Sequence, residues 1–294
     1  MYLTGFADEA SPDIDLQIRA TKALGWSNIE MRNVSVGGAK PQNLHDVPDA
    51  DFERIAERLA AAGVRVNCFG STIGNWAKSI LDPFDITLAE VERAIPRMQR
   101  LGTKLIRIMS YAVLKDRAAD DQGEAERFRR LREIVRRFTD AGLQPVHENC
   151  MNYGGMGWPF TRRLLENVPG LQLVFDTGNP VFSEDRSKPP PHPMQSSWEF
   201  YEHVRDHVAY VHIKDGIVED GKKRYTYPGE GRGDVRRIVA DLLRRGYDGG
   251  ISIEPHLGAV FHDPSVTTDA ESRFATYVEY GRRMERLIAE ARGT

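Results

Sequence analysis

Eight short apolar runs punctuate the chain: "YLTGFA" (2–7), "SNIEMR" (27–32), "VRVNCFG" (64–70), "KLIRIMS" (104–110), "QPVHEN" (144–149), "LQLVFD" (171–176), "VAYVHIKD" (208–215) and "GISIEP" (250–255). Each is too short for a stable helix, and together they are rich in β-branched and aromatic residues, so they predict strands. Between them, apolar positions recur every three to four residues, which predicts helices at 51–62, 87–101, 124–141, 195–206 and 234–245, with a long one near 270–291. "ALGW", "AAGV", "RLGT", "DAGL", "VPGL" and "RGYDGG" each precede a strand, as glycine caps at helix C-termini do. Pro96 falls inside the segment 87–101 and predicts a kink or break there.

Strands that alternate with helices imply βαβ units and a parallel sheet. Eight such units within 294 residues fit a closed (β/α)8 barrel, which typically takes about 250 residues. The expected fold class is therefore α/β, a single TIM barrel over residues 1–294. The proline-rich "SKPPPHP" (187–193) reads as a loop after the sixth strand rather than a linker.

Charge narrows the partners. The chain has 40 basic and 43 acidic residues, well mixed, for a formal net charge of −3, which gives no electrostatic footprint for nucleic acid or an anionic membrane. The basic run "RFRRLREIVRR" (127–137) interleaves with Phe128, Leu131, Ile134 and Val135, and so reads as a solvated helix face. Two isolated cysteines, Cys68 and Cys150, make no disulfide framework, and the acidic start "MYLTGFADEASPD" is unlike a signal peptide. The expected setting is cytoplasmic.

In a barrel of this kind the chemistry sits at the C-terminal ends of the strands. There the fifth strand ends in Glu148 and the sixth in Asp176, the seventh holds His212, and the eighth ends in Glu254. One acid at one strand end is as readily a turn or a helix cap. Three carboxylates and an imidazole on four successive strands are another matter, because converging carboxylates repel unless a cation lies among them. Oxygen ligands with one imidazole suit a divalent ion such as Mn²⁺, Mg²⁺ or Co²⁺.

The motifs "VHEN", "FDTGN", "VHIKD" and "SIEPH" make the chain resemble the xylose isomerase-like superfamily, and within it the ketose 3-epimerases and sugar phosphate isomerase/epimerase proteins. The resemblance implies that Glu148, Asp176, His212 and Glu254 bind one divalent metal, usually manganese. It also implies that Glu148 and Glu254 are the catalytic base and acid on either side of the substrate carbon, and that the substrate is a ketose or keto-sugar. Many relatives carry a histidine three residues after the strand-six aspartate; here Asn179 stands there, suited to a substrate hydroxyl rather than a metal. Homo-oligomers are common among such proteins.

Strand alternation adds neighbours. Lys214 shares the inward side with His212 and is expected to bind substrate oxygens or a phosphate, and His256 shares the side of Glu254 if the strand continues past Pro255. His147 alternates away and reads as a structural histidine, and Glu30 with Arg32 reads as an inward or structural pair. "YPGEGRGD" (227–234) lacks P-loop spacing and reads as the turn into the seventh helix, with Asp234 as its cap and Arg232 within reach of a substrate. Trp76 and Trp158 read as loop residues over the mouth, for stacking or packing. A lyase such as an inosose or dehydroshikimate dehydratase is the alternative on the same scaffold. An endonuclease IV-like nuclease needs several more histidines than strands three and four supply.

Overall fold

The computed structural model describes residues 1–260 and 263–293, without the side chains of 259–267. Eight parallel strands form the sheet: β1 (Tyr2–Gly5), β2 (Asn28–Met31), β3 (Arg65–Phe69), β4 (Leu105–Ile108), β5 (Gln144–Glu148), β6 (Gln172–Asp176), β7 (Val208–Ile213) and β8 (Gly250–Ile253). Their order is β1-β8-β7-β6-β5-β4-β3-β2. An isolated parallel bridge between Phe6 and Glu30 joins the two ends, so the sheet is a nearly closed barrel. Every predicted strand is present, shorter than its sequence run by one or two residues at one or both ends.

Helices cover the outside: α1 (Ile14–Ala23), α2 (Asp49–Ala62), α3 (Phe84–Leu101), α4 (Glu124–Asp140), α5 (Trp158–Asn167), α6 (Ser197–Val204), α7 (Val235–Arg244) and α8 (Ala270–Arg292). Their starts are capped where the chain supplies a short polar side chain. Asp13 accepts from the N–H groups of Asp15 and Leu16, and Asp269 from that of Ser272. Helices α2 and α3 end on Gly63 and Gly102 at φ 64° and 67°, a left-handed turn that a side chain would strain.

Two expectations about helices need correction. α3 runs unbroken through Pro96, which faces solvent, where water can satisfy the carbonyl that loses its donor. The basic run on α4 is not wholly solvated either. Arg127 is fully buried, donating to the carbonyls of Gln122 (2.6 Å), Ala112 (2.8 Å) and Ser110, and Arg130 is buried as well. Those carbonyls lie in the loops after β4, so Arg127 anchors that part of the mouth.

Period-two alternation sorts the barrel interior into layers. Val146, Val174 and Tyr210 pack with Cys68 in an apolar layer. Two residues further along β5, β6 and β7 come Glu148, Asp176 and His212. Asp176 lies directly opposite His212 in the β6–β7 register. The apolar layer closes the barrel beneath the charged one and lowers the dielectric around it.

Candidate active site

Three side chains just past the strand ends tie neighbouring strands together at the mouth. Ser71 donates to the Arg107 carbonyl. Asn149 accepts from the N–H of Asp176 (2.7 Å) and donates to its carbonyl (3.0 Å). Thr177 does the same for Lys214, donating to its carbonyl (2.7 Å) and accepting from its N–H (3.2 Å). The polar residues that follow the strand runs thus tie β3 to β4 and β5 to β6 and β7, which fixes where the inward side chains stand.

Within that frame Glu148, Asp176, His212 and Glu254 come together. All four are buried, and each offers a ligand atom within 4.8 Å of the others. The Glu148 carboxylate lies 3.3 Å from His212 Nδ1 and 3.1 Å from Arg107 Nη1, and accepts from Asn179 Nδ2 at 3.3 Å. One oxygen of Asp176 accepts the N–H groups of Gly178 (2.8 Å) and Asn179 (2.6 Å). The other, Oδ2, has Lys214 Nζ at 3.1 Å but no aligned donor, so it is a buried oxygen without a hydrogen bond. Glu254 receives Arg32 Nη1 at 2.8 Å and Lys214 Nζ at 2.9 Å.

Behind these residues Glu30 and Arg32 point inward, as expected, but pair with other residues rather than with each other. Glu30 accepts from His212 Nε2 (3.1 Å) and from the Tyr210 hydroxyl (2.9 Å), leaving Nδ1 as the ring nitrogen facing Glu148. Arg32 reaches Asp8 (2.9 Å), Glu9 (3.4 Å) and Glu254. His256 arrives through a turn at φ 54° rather than a continued strand, its Nδ1 2.8 Å from Glu9 and its Nε2 3.9 Å from Glu254.

Electrostatics follow from this geometry. Burial raises the Glu148 carboxyl, but Arg107 and His212 outweigh it and hold the group at about 2. Glu254 is likewise held well below the usual range against its burial, by Lys214, His256 and Arg32. Asp176 goes the other way: burial lifts it to about 7 despite Lys214. Burial disfavours charge on His212, yet Glu30 and Glu148 lift it to about 10. Among the described residues, the buried carboxylates Asp8, Glu9, Glu30, Glu148, Asp176 and Glu254 face only three permanent cations, Arg32, Arg107 and Lys214. With His212 charged and Asp176 partly protonated the excess is smaller than three but still negative, and a divalent cation in this dry pocket would offset it. That deficit, the orphaned Asp176 oxygen and the oxygen-plus-imidazole donor set all fit a divalent ion held by Glu148, Asp176, His212 and Glu254.

The remaining expected residues divide. Lys214, Asn179 and His256 line a small cavity of about 40 Å³ together with Glu148, Glu254 and Arg107. Trp76 lines it too, at the mouth as expected. Trp158 is the first residue of α5 rather than a loop residue; its ring lies 3.8 Å from that of His203, against a separate cleft. Arg232 is exposed, and among the described residues only its backbone N–H is engaged, by the Gly216 carbonyl at 2.8 Å. The glycine run 227–234 does bind an anion, but the anion is the chain's own Asp215, whose carboxylate accepts from Gly216, Gly229, Gly231 and Gly233 at 2.8–3.1 Å. Asp234 precedes α7 without capping it; its carboxylate takes the Trp198 N–H instead. His147 is buried with Nε2 3.0 Å from the Ser110 hydroxyl, as a structural histidine would be.

Comparison with known proteins agrees with the barrel. No curated protein sequence matches the chain. Solved structures do. A D-tagatose 3-epimerase-like protein superposes with a TM-score of 0.71 at 15% identity, covering 100% of this chain and 99% of its own. A xylose isomerase-like TIM barrel protein from Mycobacterium smegmatis, in complex with magnesium, gives 0.70 at 16% identity, covering 99% and 97%. The probable 3-DHS dehydratase AsbF from Bacillus anthracis gives 0.67 at 15% identity, covering 97% and 99%. At these identities the likeness is one of fold. Among the described residues no helix is long and apolar enough to cross a membrane. The family model for the xylose isomerase-like TIM barrel matches residues 18–276, and the chain belongs to that family.

Proposed function

We propose that the protein is a divalent-metal-dependent sugar isomerase or epimerase that removes the proton next to the carbonyl of a ketose or keto-sugar. The observation that carries this reading is the meeting of Glu148, Asp176, His212 and Glu254, from four successive strand ends, within 4.8 Å. These four would hold the ion, with manganese the first choice and magnesium or cobalt the others. Bound there, the ion supplies Lewis-acid polarisation of a substrate carbonyl and stabilises the charge that develops beside it.

The chain's own groups do the rest. Glu148 is held ionised by Arg107 and His212, as a proton acceptor must be. Glu254 approaches from the other flank of the four-strand arc and is hydrogen-bonded to the Lys214 ammonium at 2.9 Å, which gives it a source for the proton returned to the opposite face. Asn179 and His256 line the same cavity and suit substrate hydroxyls. The buried apolar layer beneath excludes water from the site.

The same proton abstraction followed by loss of a neighbouring hydroxyl would make the protein a lyase. Lys214, an acid within reach of both Asp176 and Glu254, favours keeping this second reading. The test is incubation with a panel of ketoses, inososes and keto-glycosides in heavy water. Deuterium uptake without loss of mass as water supports an epimerase, and loss of water supports the lyase. Glu148→Gln and Glu254→Gln are expected to stop exchange while the circular dichroism spectrum stays unchanged; exchange that continues in either variant refutes its assigned role.

A further inference from the structure

The small cavity at the charged residues does not end there. Trp76, Cys150 and Met151 are shared between it and a much larger one of about 580 Å³, whose walls include Met156, Phe182 and Met194. Cavities of ~300–1,000 Å³ are the size that accepts a drug-sized molecule, far more than a carbonyl and its flanking hydroxyls require. The two spaces also differ in chemistry. The inner one is lined mainly with arginine, lysine and carboxylates, whereas the outer one sets three methionines and two aromatic residues among apolar neighbours, with Lys115, Glu184, Arg186 and Lys223 also in its walls.

The outer walls carry a second sign of a ligand. Among the described residues, four large apolar side chains stand exposed, and two of them, Met151 (41%) and Met194 (44%), line this cavity. Exposed apolar side chains clustered at a concave surface mark a binding site more often than chance solvent contact does. Methionine suits such a wall because its thioether adapts to ring faces and edges. Trp76 and Phe182 add flat surfaces against which an aromatic ring can lie. The basic members of this lining do not make it a phosphate pocket, since Lys115 and Lys223 are exposed to solvent and the half-buried Arg186 shares the wall with the acidic Glu184.

We propose that this outer cavity is an aglycone subsite: the substrate carries, beyond its carbonyl-bearing sugar, an apolar aromatic substituent. A free ketose would leave Met151 and Met194 facing water, whereas an aromatic glycoside covers them while its sugar reaches Glu148 and Glu254. The proposal rests on the sugar reading given above, but it makes a separate claim about binding. Burying one aromatic ring is worth about 10–100-fold in affinity.

The test is calorimetric titration of the Mn²⁺-treated protein with phenyl β-D-glucoside and methyl β-D-glucoside. Neither probe has a carbonyl and neither is turned over, so the titration reads the cavity alone. The expected result is binding of the phenyl compound at least ~10-fold tighter than the methyl one. Met151→Ser/Met194→Ser, a double variant at two exposed positions that leaves the core intact, is expected to cut that preference to less than ~3-fold. Equal affinities, no saturable binding of the phenyl compound, or a preference untouched in the double variant would each overturn the subsite. A protein inert to every keto-sugar that still prefers the phenyl compound would uphold the subsite and refute the exchange chemistry.

Discussion

Replacing Lys214 by methionine removes the ammonium that stands between two of the candidate ligands, 3.1 Å from Asp176 Oδ2 and 2.9 Å from Glu254 Oε2. The stem volume is nearly kept, so the effect is electrostatic. Deleting one partner of a buried ion pair costs about 3–5 kcal/mol. The low end applies here, because Asp176 keeps the N–H groups of Gly178 and Asn179 and Glu254 keeps Arg32. Over 294 residues, at about 2.1 cal/mol/K each, the unfolding entropy is ~0.6 kcal/mol/K, so ~3 kcal/mol lowers Tm by ~5 °C. Mn²⁺ must compete with this ammonium for Asp176 and Glu254 in the natural protein but not in the variant. Metal at ~1,000 times its Kd contributes about 4.1 kcal/mol, or ~7 °C. Thermal denaturation with and without MnCl2 is the assay. Lys214→Met is expected to melt ~5 °C lower without metal and to gain at least ~3 °C more from Mn²⁺ than the natural protein does. A metal-free Tm within ~1 °C of the natural protein, or a metal-induced rise no larger than the natural one, would refute the reasoning.

Three further outcomes follow from the geometry. Glu30→Gln keeps the shape but removes the charge behind His212, and calorimetry is expected to show about tenfold weaker Mn²⁺ binding with the fold intact. Asp215→Asn replaces one of the two oxygens that accept from the glycine loop with a donor, so two of the four N–H groups lose their partner and urea unfolding is expected to show a loss of roughly 2–4 kcal/mol. On α4, hydrogen bonds from Arg129 and Arg130 hold Glu126 at about 2, well below its ordinary 4.5, and those from Arg136 and Arg137 do the same for Glu133. A carboxyl whose folded pKa is depressed stabilises fully above its unfolded pKa, and the contribution is lost as pH falls through the folded value. Because these pairs are partly exposed, screening limits each glutamate to ~0.5 kcal/mol. Urea unfolding of Glu126→Gln/Glu133→Gln is therefore expected to show ~1 kcal/mol less stability than the natural protein at pH 7, a gap that narrows between pH 4.5 and pH 2.

The barrel and the four converging residues were legible because they obey simple periods. An apolar strand that ends in Glu148, Asp176 or Glu254 stands out against its own pattern, and period two carries the same logic to His212 and Lys214. Residues that reach the site by longer routes were harder to read. Arg107 interrupts "KLIRIMS" between Ile106 and Ile108, and a lone charge inside an apolar strand was the available signal. Asp8 and Glu9 sit in a turn after β1, where acids are ordinary, and only the fold shows that they meet Arg32 and His256. The glycine loop is the turn into α7, as its sequence suggests, but that its N–H groups bind Asp215 of the same chain had no signal in the sequence. Arg127 is a fully buried cation on an amphipathic helix, and what it satisfies, three carbonyls from a loop, has no sequence period at all.

The most direct measurement is calorimetric titration of the metal-stripped protein with MnCl2, checked by elemental analysis of the product. The account predicts one ion bound per chain. It also predicts that Asp176→Asn weakens binding by more than ~100-fold, since losing a ligand outweighs the ~10–100-fold typical of a residue standing behind one. A protein that binds no Mn²⁺, Mg²⁺ or Co²⁺ saturably, or that binds one equally well with Asn at position 176, would contradict it.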